Sequence, residues 1–333
     1  MNKNYLFLLL LISLHKLSSQ NTFTIAFGSC NKASSENLLW DDVLKTNPNV
    51  WIWGGDNIYG DTNDMKKMKK IYELQSQQKG YSKIKQNMPI LGTWDDHDYG
   101  KNDAGEEYEM KKESQQLFLD FLNVDKLDKR RERKGVYHAT TFDTKKGSVK
   151  VIVLDTRYHR SKLTRVPNGP KKYIPNTYEN ETMLGKTQWE WFTKELTQST
   201  ADFNIIVSSV QVLSSEHRFE KWANFPTETN KLLELIQTSK ANNIIFLSGD
   251  RHISEFSKTK LNGISYPVID FTSSGLTHAY KGFTSEKNRY RNGNVVFTES
   301  FGVLKFDFDR KRVIFQMRGD NEKVLQEMTQ VYP

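Results

Sequence analysis

The feature that most constrains this chain is a recurrence: five times, an apolar run of strand-forming residues ends abruptly in a short polar motif. The motifs are Gly28-Ser29-Cys30, Gly55-Asp56-Asn57-Ile58-Tyr59, Trp94-Asp95-Asp96-His97-Asp98, Ser208 to Gln211, and Gly249-Asp250-Arg251-His252. Open α/β sheets collect their ligands at the carboxyl ends of strands, so the recurrence predicts one site assembled from several strand ends. A single Gly-Asp pair after a strand is equally well a turn whose Asp caps a helix. Five such motifs in order require a common destination.

Periodicity places them among alternating elements. Phe23 to Gly28 reads as a strand, Ser35 to Lys45 as a helix, Val50 to Trp53 as a strand and residues 64 to 79 as a lysine-rich helix. Pro89 to Thr93 reads as a strand, and Glu106 to Leu122 as a helix with Leu117, Phe118, Phe121 and Leu122 on one side. Val136 to Phe142 and Val149 to Leu154 alternate across Lys145-Lys146-Gly147 as a hairpin does. A Pro- and Gly-containing segment, about 157 to 185, breaks the pattern and is predicted to form a lid or rim of the pocket. Alternation resumes with Lys186 to Thr197 (helix), Ile205 to Ser209 (strand), Thr227 to Lys240 (helix) and Ile244 to Leu247 (strand). The last third, with Val268 to Thr272, Val295 to Phe308 and Val313 to Met317, reads mostly as strands. Strand and helix in alternation select an α/β architecture.

With 333 residues, 37% of them hydrophobic, the chain can bury one large core. The motifs span residues 28 to 252, and a domain boundary between them would split the site. The expected organisation is therefore a leader, 1–19, and one catalytic domain, 20–333. Lys3, the apolar run Tyr5 to Leu14 and the small or polar residues up to Ser19 have the layout of a secretory signal peptide. That run is too short for a spanning helix and no later segment reaches such a length, so no permanent membrane span is expected. An exported protein, periplasmic or extracellular, follows. The formal charge of +8 is modestly basic. The clusters Lys66, Lys67, Lys69, Lys70 and Lys126, Lys129, Arg130, Arg131, Arg133, Lys134 lack interleaved aromatics and read as solvated faces, not as specific nucleic-acid recognition. A field of that sign still draws in phosphorylated substrates. The single cysteine, Cys30, excludes an internal disulfide, and a lone thiol in an exported chain is either a buried small hydrophobe or a ligand.

Hydrolysis of a phosphate ester requires neutralising the charge on its oxygens and making a nucleophile from water near neutral pH. Two close cations do both, and a carboxylate between them can bridge. Asp56, flanked by small glycines that let the backbone turn sharply, is the bridging candidate. The competing chemistries have no footing: there is neither a Gly-x-Ser-x-Gly elbow nor a Walker A loop.

Gly-Asp-x-x-Tyr and Asp-His after successive strands, followed by a late Gly-x-x-His, resemble the calcineurin-like metallophosphoesterase superfamily. The variants FGSC, GGDNIYGD, TWDDHDYG, LDTR, SGDRH and TSSGLTH, in this order over residues 23 to 280, resemble the PhoD-type alkaline phosphatases. That resemblance implies a four-layer α/β/β/α metallophosphoesterase sandwich with two mixed sheets, acting on phosphomonoesters or phosphodiesters. It also implies a mixed centre: Fe3+ held by a Cys, an Asp, a Tyr and a Gly-Asp-x-His pair, and Ca2+ held by carboxylates. Another divalent pair, such as Zn2+ or Mn2+, is the alternative. Position by position, Cys30 resembles the thiolate ligand, Asp56 the bridging carboxylate and Tyr59 the phenolate. Asp96 stands where related proteins have an Asn ligand, and Asp250 and His252 where they have the paired late ligands. Donor chemistry agrees, because thiolate and phenolate stabilise oxidised iron whereas calcium prefers carboxylate oxygens. The first motif strand lies almost at the start, so the extra N-terminal domain of some PhoD-type enzymes is not expected.

The catalytic candidates are His97, Asp98 and Arg157. His97 is expected to hydrogen-bond substrate or the leaving oxygen, with Asp98 orienting its imidazole and Asp95 in a structural role. Arg157 either grips phosphate oxygens or forms a salt bridge to Asp155 or another acid. Asn57, His97, Arg157 and His159 are the candidate substrate contacts. Gln211 is a candidate neutral donor to calcium, and Arg251 is expected to turn away from the site. His217 and His278 either line the pocket or are exposed; Trp222, Phe225 and Pro226 read as core. The expected reaction is in-line attack of a metal-bridging hydroxide on phosphorus, with His97 helping the alcohol depart. A small phosphate ester is the expected partner. A diesterase for phospholipid or nucleic-acid esters and a non-catalytic binding protein are the rival readings.

Overall fold

A computed structural model describes residues 22–166, 172–178 and 180–333. The leader and part of the expected lid lie outside the described residues. The first half of the chain forms β1 (Thr22–Gly28), α1 (Trp40–Lys45), β2 (Val50–Gly54), α2 (Met65–Gln77), α3 (Lys79–Asn87), β3 (Ile90–Thr93), α4 (Asp96–Tyr99) and α5 (Lys111–Phe121). The middle adds the hairpin β4 (His138–Asp143) and β5 (Ser148–Val153), the short pair β6 (Thr164–Arg165) and β7 (Tyr173–Ile174), and α6 (Gly185–Thr197). The remainder is β8 (Phe203–Val207), α7 (Pro226–Thr238), β9 (Ile244–Ser248), β10 (Ser254–Thr259), β11 (Val268–Ser273), β12 (Arg291–Val296), β13 (Phe301–Asp307), β14 (Arg312–Arg318) and β15 (Val324–Val331).

Two mixed sheets result. One has the order β15-β14-β13-β1-β2-β3, with β1, β2 and β3 parallel. The other has the order β12-β10-β11-β9-β8-β5-β4, parallel through its centre and antiparallel at its edges. Side chains alternate across a strand, and that alternation assigns the faces. Phe23, Ile25 and Phe27 of β1 and Val50 and Ile52 of β2 meet Val149, Val151, Ile205, Val207, Ile245 and Leu247 between the sheets. On the opposite face, Ala26, Trp51 and Trp53 pack with Trp40, Tyr81 and Phe118 from α1, α3 and α5. Ile152, Ile206 and Phe246 pack with Trp189 and Phe192 of α6 and Leu232 and Ile236 of α7. Helices, sheet, sheet, helices is the four-layer order the resemblance implied.

Local chemistry sets several boundaries. The Asp64 carboxylate accepts from the backbone N–H groups of Lys66 (2.9 Å) and Lys67 (3.2 Å) and starts α2; Pro226 opens α7, where a missing N–H costs nothing. The helix expected from Ser35 shortens to the six residues of α1. The continuous run Val295 to Phe308 is interrupted: it opens on the last two residues of β12 and resumes as β13. Four strands escape the sequence reading, among them the short pair β6 and β7 inside the expected lid segment. β10 buries Glu255 and Ser257, so it has no apolar alternation, and β15 is an edge strand. Among the described residues no helix is long and apolar enough to cross a membrane.

Candidate metal centre

The carboxyl ends of β1, β2 and β3 converge with those of β8, β9 and β11, and the approach is close. A Cβ on Gly249 would lie 2.6 Å from the Gly54 carbonyl oxygen and from Ser29 Oγ, and one on Gly55 would lie 2.6 Å from Asp95 Cβ. Only glycine lets these strand ends come so near. Four of the candidate donors sit in the left-handed backbone region that ordinary residues avoid: Cys30 (φ 57°), Asp56 (51°), Asp250 (69°) and His252 (54°). Such strain, on the order of 1–3 kcal/mol each, persists only where the surroundings enforce it and clusters at functional sites.

The donors form a continuous chain. Cys30 Sγ lies 3.4 Å from Asp56 Oδ2 and 3.0 Å from Ser274 Oγ. Tyr59 Oη lies 3.5 Å from Asp56 Oδ2 and 3.4 Å from His252 Nε2. His252 Nδ1 faces the His278 carbonyl oxygen at 3.2 Å, which turns Nε2 toward the donors. Asp96 is held by the N–H of Asp103 (2.6 Å) and the amide of Asn102 (3.1 Å). Carboxylate or ring atoms of Asp56, Asp96 and His97 lie within 4.8 Å of one another, as do those of Asp95, Asp96 and Asp250. All but Asp95, Tyr59 and Cys30 line a cavity of about 410 Å³, with Lys172, Phe219, Glu220, Arg251, His278 and Tyr280 on its other sides.

Electrostatics says what this hollow lacks. Burial, reinforced by Asp56, pushes the Cys30 thiol well up. Burial, reinforced by Asp96, does the same to Asp56, and burial with Asp95 does so to Asp250. Tyr59 is raised by burial and by Cys30. Four acidic groups disfavour ionisation together through burial and mutual repulsion, which His97 and Arg251 offset only in part, and a bound cation reverses that balance. Anionic S and O donors beside an imidazole suit a transition metal, and the carboxylates around Asp96 suit a hard cation.

Several expectations are corrected. Asp98 does not orient His97: its carboxylate accepts from Asp95 N–H (2.7 Å) and from Asn57 N–H (3.2 Å) and Nδ2 (2.5 Å). Asp61 takes that place, 2.7 Å from His97 Nδ1. Burial lowers the affinity of His97 for its proton, but Asp56, Asp61 and Asp96 outweigh it and hold the pKa at about 11. Arg157 does not reach the cavity. It is fully buried, with Nε and Nη2 on Asp95 Oδ1 (2.7 and 2.6 Å) and Nη1 on Glu220 Oε2 (2.7 Å), which is the salt-bridge alternative with acids other than Asp155. Asn57 is buried against Thr93 O (3.0 Å) and Asp98, and His159 packs on Tyr158 and Gly185; neither lines the cavity. Arg251, expected to turn away, does line it. Gln211 is buried with its amide on Glu255 and Thr272, both at 2.8 Å. His278 lines the cavity, whereas His217 is buried beside it, and Trp222 and Phe225 are core. Asp61 and Ser274 were within the motif stretches GGDNIYGD and TSSGLTH, yet nothing in the spacing singled them out.

The sequence profile described as PhoD-like phosphatase matches residues 25–317. Alkaline phosphatase D of Bacillus subtilis (strain 168) is 26% identical over 140 residues, which cover 37% of this chain and 24% of that protein. The chain therefore matches about a quarter of this curated relative's length. A structure of PhoD shares the fold with a TM-score of 0.74 at 18% identity, covering 93% of this chain and 70% of the other. A dimetal phosphatase from Danio rerio superposes with a TM-score of 0.57 at 12% identity, covering 93% and 99%.

Proposed function

We propose, from the premise that this chain belongs to the PhoD-like phosphatase family, that it is a metal-dependent phosphoric ester hydrolase acting on small phosphate esters. The observation that carries the reading is the chain of contacts joining Cys30, Asp56, Tyr59 and His252, with Asp250 and Asp96 lining the same cavity, in one buried acidic centre that His97 and Arg251 offset only in part. Cys30, Asp56, Tyr59, Asp250 and His252 would hold iron, and Asp56 with Asp96 would hold calcium; zinc or manganese is the alternative pair. When bound, the cations neutralise the phosphate oxygens and make water nucleophilic near neutral pH.

The remaining residues orient and move protons. Asp61 fixes the His97 ring through Nδ1, leaving Nε2 to protonate the departing alcohol oxygen. Asp98 ties the Asn57 backbone to the start of α4 and so aligns Asp56 with Asp96. Arg157 neutralises Asp95 and Glu220 behind the cavity. The leader, 1–19, directs export to the periplasm or the extracellular space.

The test is metal analysis of the purified protein together with hydrolysis of p-nitrophenyl phosphate and its bis ester. Metal-dependent turnover of either ester, lost in Asp56→Asn, supports the reading. Hydrolysis of neither ester with iron and calcium, zinc or manganese would sink it. Zinc alone, without calcium dependence, would overturn the iron and calcium assignment only.

A further inference from the structure

The cavity has a second side that the hydrolytic chemistry does not use. At about 410 Å³ it falls in the range of roughly 300–1,000 Å³ that encloses small organic ligands, more room than a phosphate group alone requires. Away from the acids its lining includes two aromatic rings, Phe219 and Tyr280.

The backbone of both residues is anchored by its surroundings. The Phe219 N–H donates to His217 Nδ1 (3.2 Å) and its carbonyl accepts from Lys221 Nζ (2.8 Å). The next residue, Glu220, is locked between Arg157 and Arg160 at 2.7 and 2.9 Å. The Arg251 guanidinium lies 4.4 Å from the Phe219 ring centroid and is itself anchored on Glu286 at 2.6 Å. Tyr280 is seated differently. Its N–H donates to the His252 carbonyl oxygen (2.7 Å) and its own carbonyl accepts from the Phe283 N–H (2.9 Å), while the residue stays 56% exposed. One ring comes from the loop after β8, the other from the loop after β11, so two backbone-anchored loops bring them to the same cavity. Aromatic rings contribute large contact area at low entropic cost, having only two side-chain torsions to fix.

We propose that the cavity selects phosphate esters whose alcohol portion carries a planar aromatic ring, seated against Phe219 and Tyr280 while the phosphate faces Asp56, Asp96 and Asp250; this rests on the phosphatase reading. Hydrolysis breaks the P–O bond to that alcohol, water giving its hydroxyl to phosphorus and a proton to the departing oxygen. Phe219 and Tyr280 are then specificity residues for a reaction carried out by the acids and His97.

Benzyl phosphate and cyclohexylmethyl phosphate separate aromaticity from bulk, since both release a primary alcohol of equal carbon number. With the metal-loaded full chain, kcat/KM should favour the benzyl ester by about 2- to 10-fold, the size of one aromatic pairing. In Phe219→Leu and Tyr280→Leu that ratio should fall toward one. Calorimetry with benzylphosphonate and cyclohexylmethylphosphonate provides a readout independent of turnover and of the variants' folding, with the same preference expected in Kd. A wild-type ratio near one, or a preference unchanged in both variants, overturns the proposal. Absence of hydrolysis for both esters would instead count against the phosphatase reading, and the phosphonate ratio would still decide the ring site.

Discussion

Asp56 and Asp95 follow successive strands of the same sheet and are almost equally buried, yet their charges meet opposite environments. Asp95 receives two guanidinium contacts from Arg157 and the Ser209 hydroxyl at 2.5 Å, and Arg157 in turn is shared with Glu220. Asp56 has only long contacts, with the His97 N–H at 3.3 Å, the Cys30 thiol at 3.4 Å and the Tyr59 hydroxyl at 3.5 Å. Burial pushes both carboxyls up, but Arg157 limits the rise at Asp95 to about 7, whereas at Asp56 the next contribution, from Asp96, raises it further. Where the fold builds in a counter-charge, the acid acts as architecture. Where only the His97 imidazole offsets it in part, the position is suited to a cation from outside.

The contrast can be broken most sharply at Asp56. Asp56→Asn should lower kcat/KM for p-nitrophenyl phosphate on the order of 1,000-fold, a loss at the upper end of those for a single electrostatic contact to the transition state. The metal-free variant should nevertheless melt no lower than the metal-free wild type, because an uncompensated carboxyl has been removed. A clear fall in its melting temperature would mean that Asp56 is compensated as Asp95 is. The reverse experiment is Arg157→Met, which strands Asp95 and leaves Glu220 with Arg160 alone; urea unfolding should show a loss of about 3–5 kcal/mol. Unchanged stability there would remove the distinction.

Asp61→Asn tests the partner of His97. A drop in kcat of about 10- to 100-fold is expected, in line with losses at residues that orient a site group. Removing a neighbouring anion also lowers the His97 pKa, so the alkaline limb of the rate profile should move to lower pH; an unmoved limb would detach Asp61 from the reaction. The smallest effect should come at Asp98. Asp98→Asn exchanges one acceptor oxygen for a donor among three N–H groups, at a cost of about 1–3 kcal/mol in unfolding free energy, with the His97 pH limb unchanged. A shifted limb would restore Asp98 as the orienting group.

Much of the architecture was legible because it is written locally. The alternation of Trp51 and Trp53 with Val50 and Ile52 already sorts β2 into an outer and an inner face, and each polar motif sits at the end of its own strand. Cys30, Asp56, Tyr59, Asp96, Asp250 and His252 could be named for the same reason, and the fold gathers them. What was not legible depends on pairing between distant loops. Glu220 acquires its place only when Arg157 and Arg160 arrive from the loop after β5, and His97 meets Asp61 rather than the nearer-in-sequence Asp98 because the turn into α4 points Asp98 back at Asn57. β10 was missed on similar grounds: Glu255 is buried against Arg291 and Gln211, partners no periodicity reveals.

The donors come from both sheets: Cys30, Asp56 and Asp96 follow strands of one, Asp250 and His252 follow a strand of the other. With its cations in place, such a centre is a rivet through the sandwich, added to the apolar contacts and the few buried polar ones, Arg157 and Ser209 on Asp95 among them, that already join the layers. A chain with one cysteine has no internal cystine to perform that task. Mechanical and proteolytic endurance would then be set by metal supply rather than by oxidation, and the protein would keep its toughness in a reducing medium and lose it to a chelator.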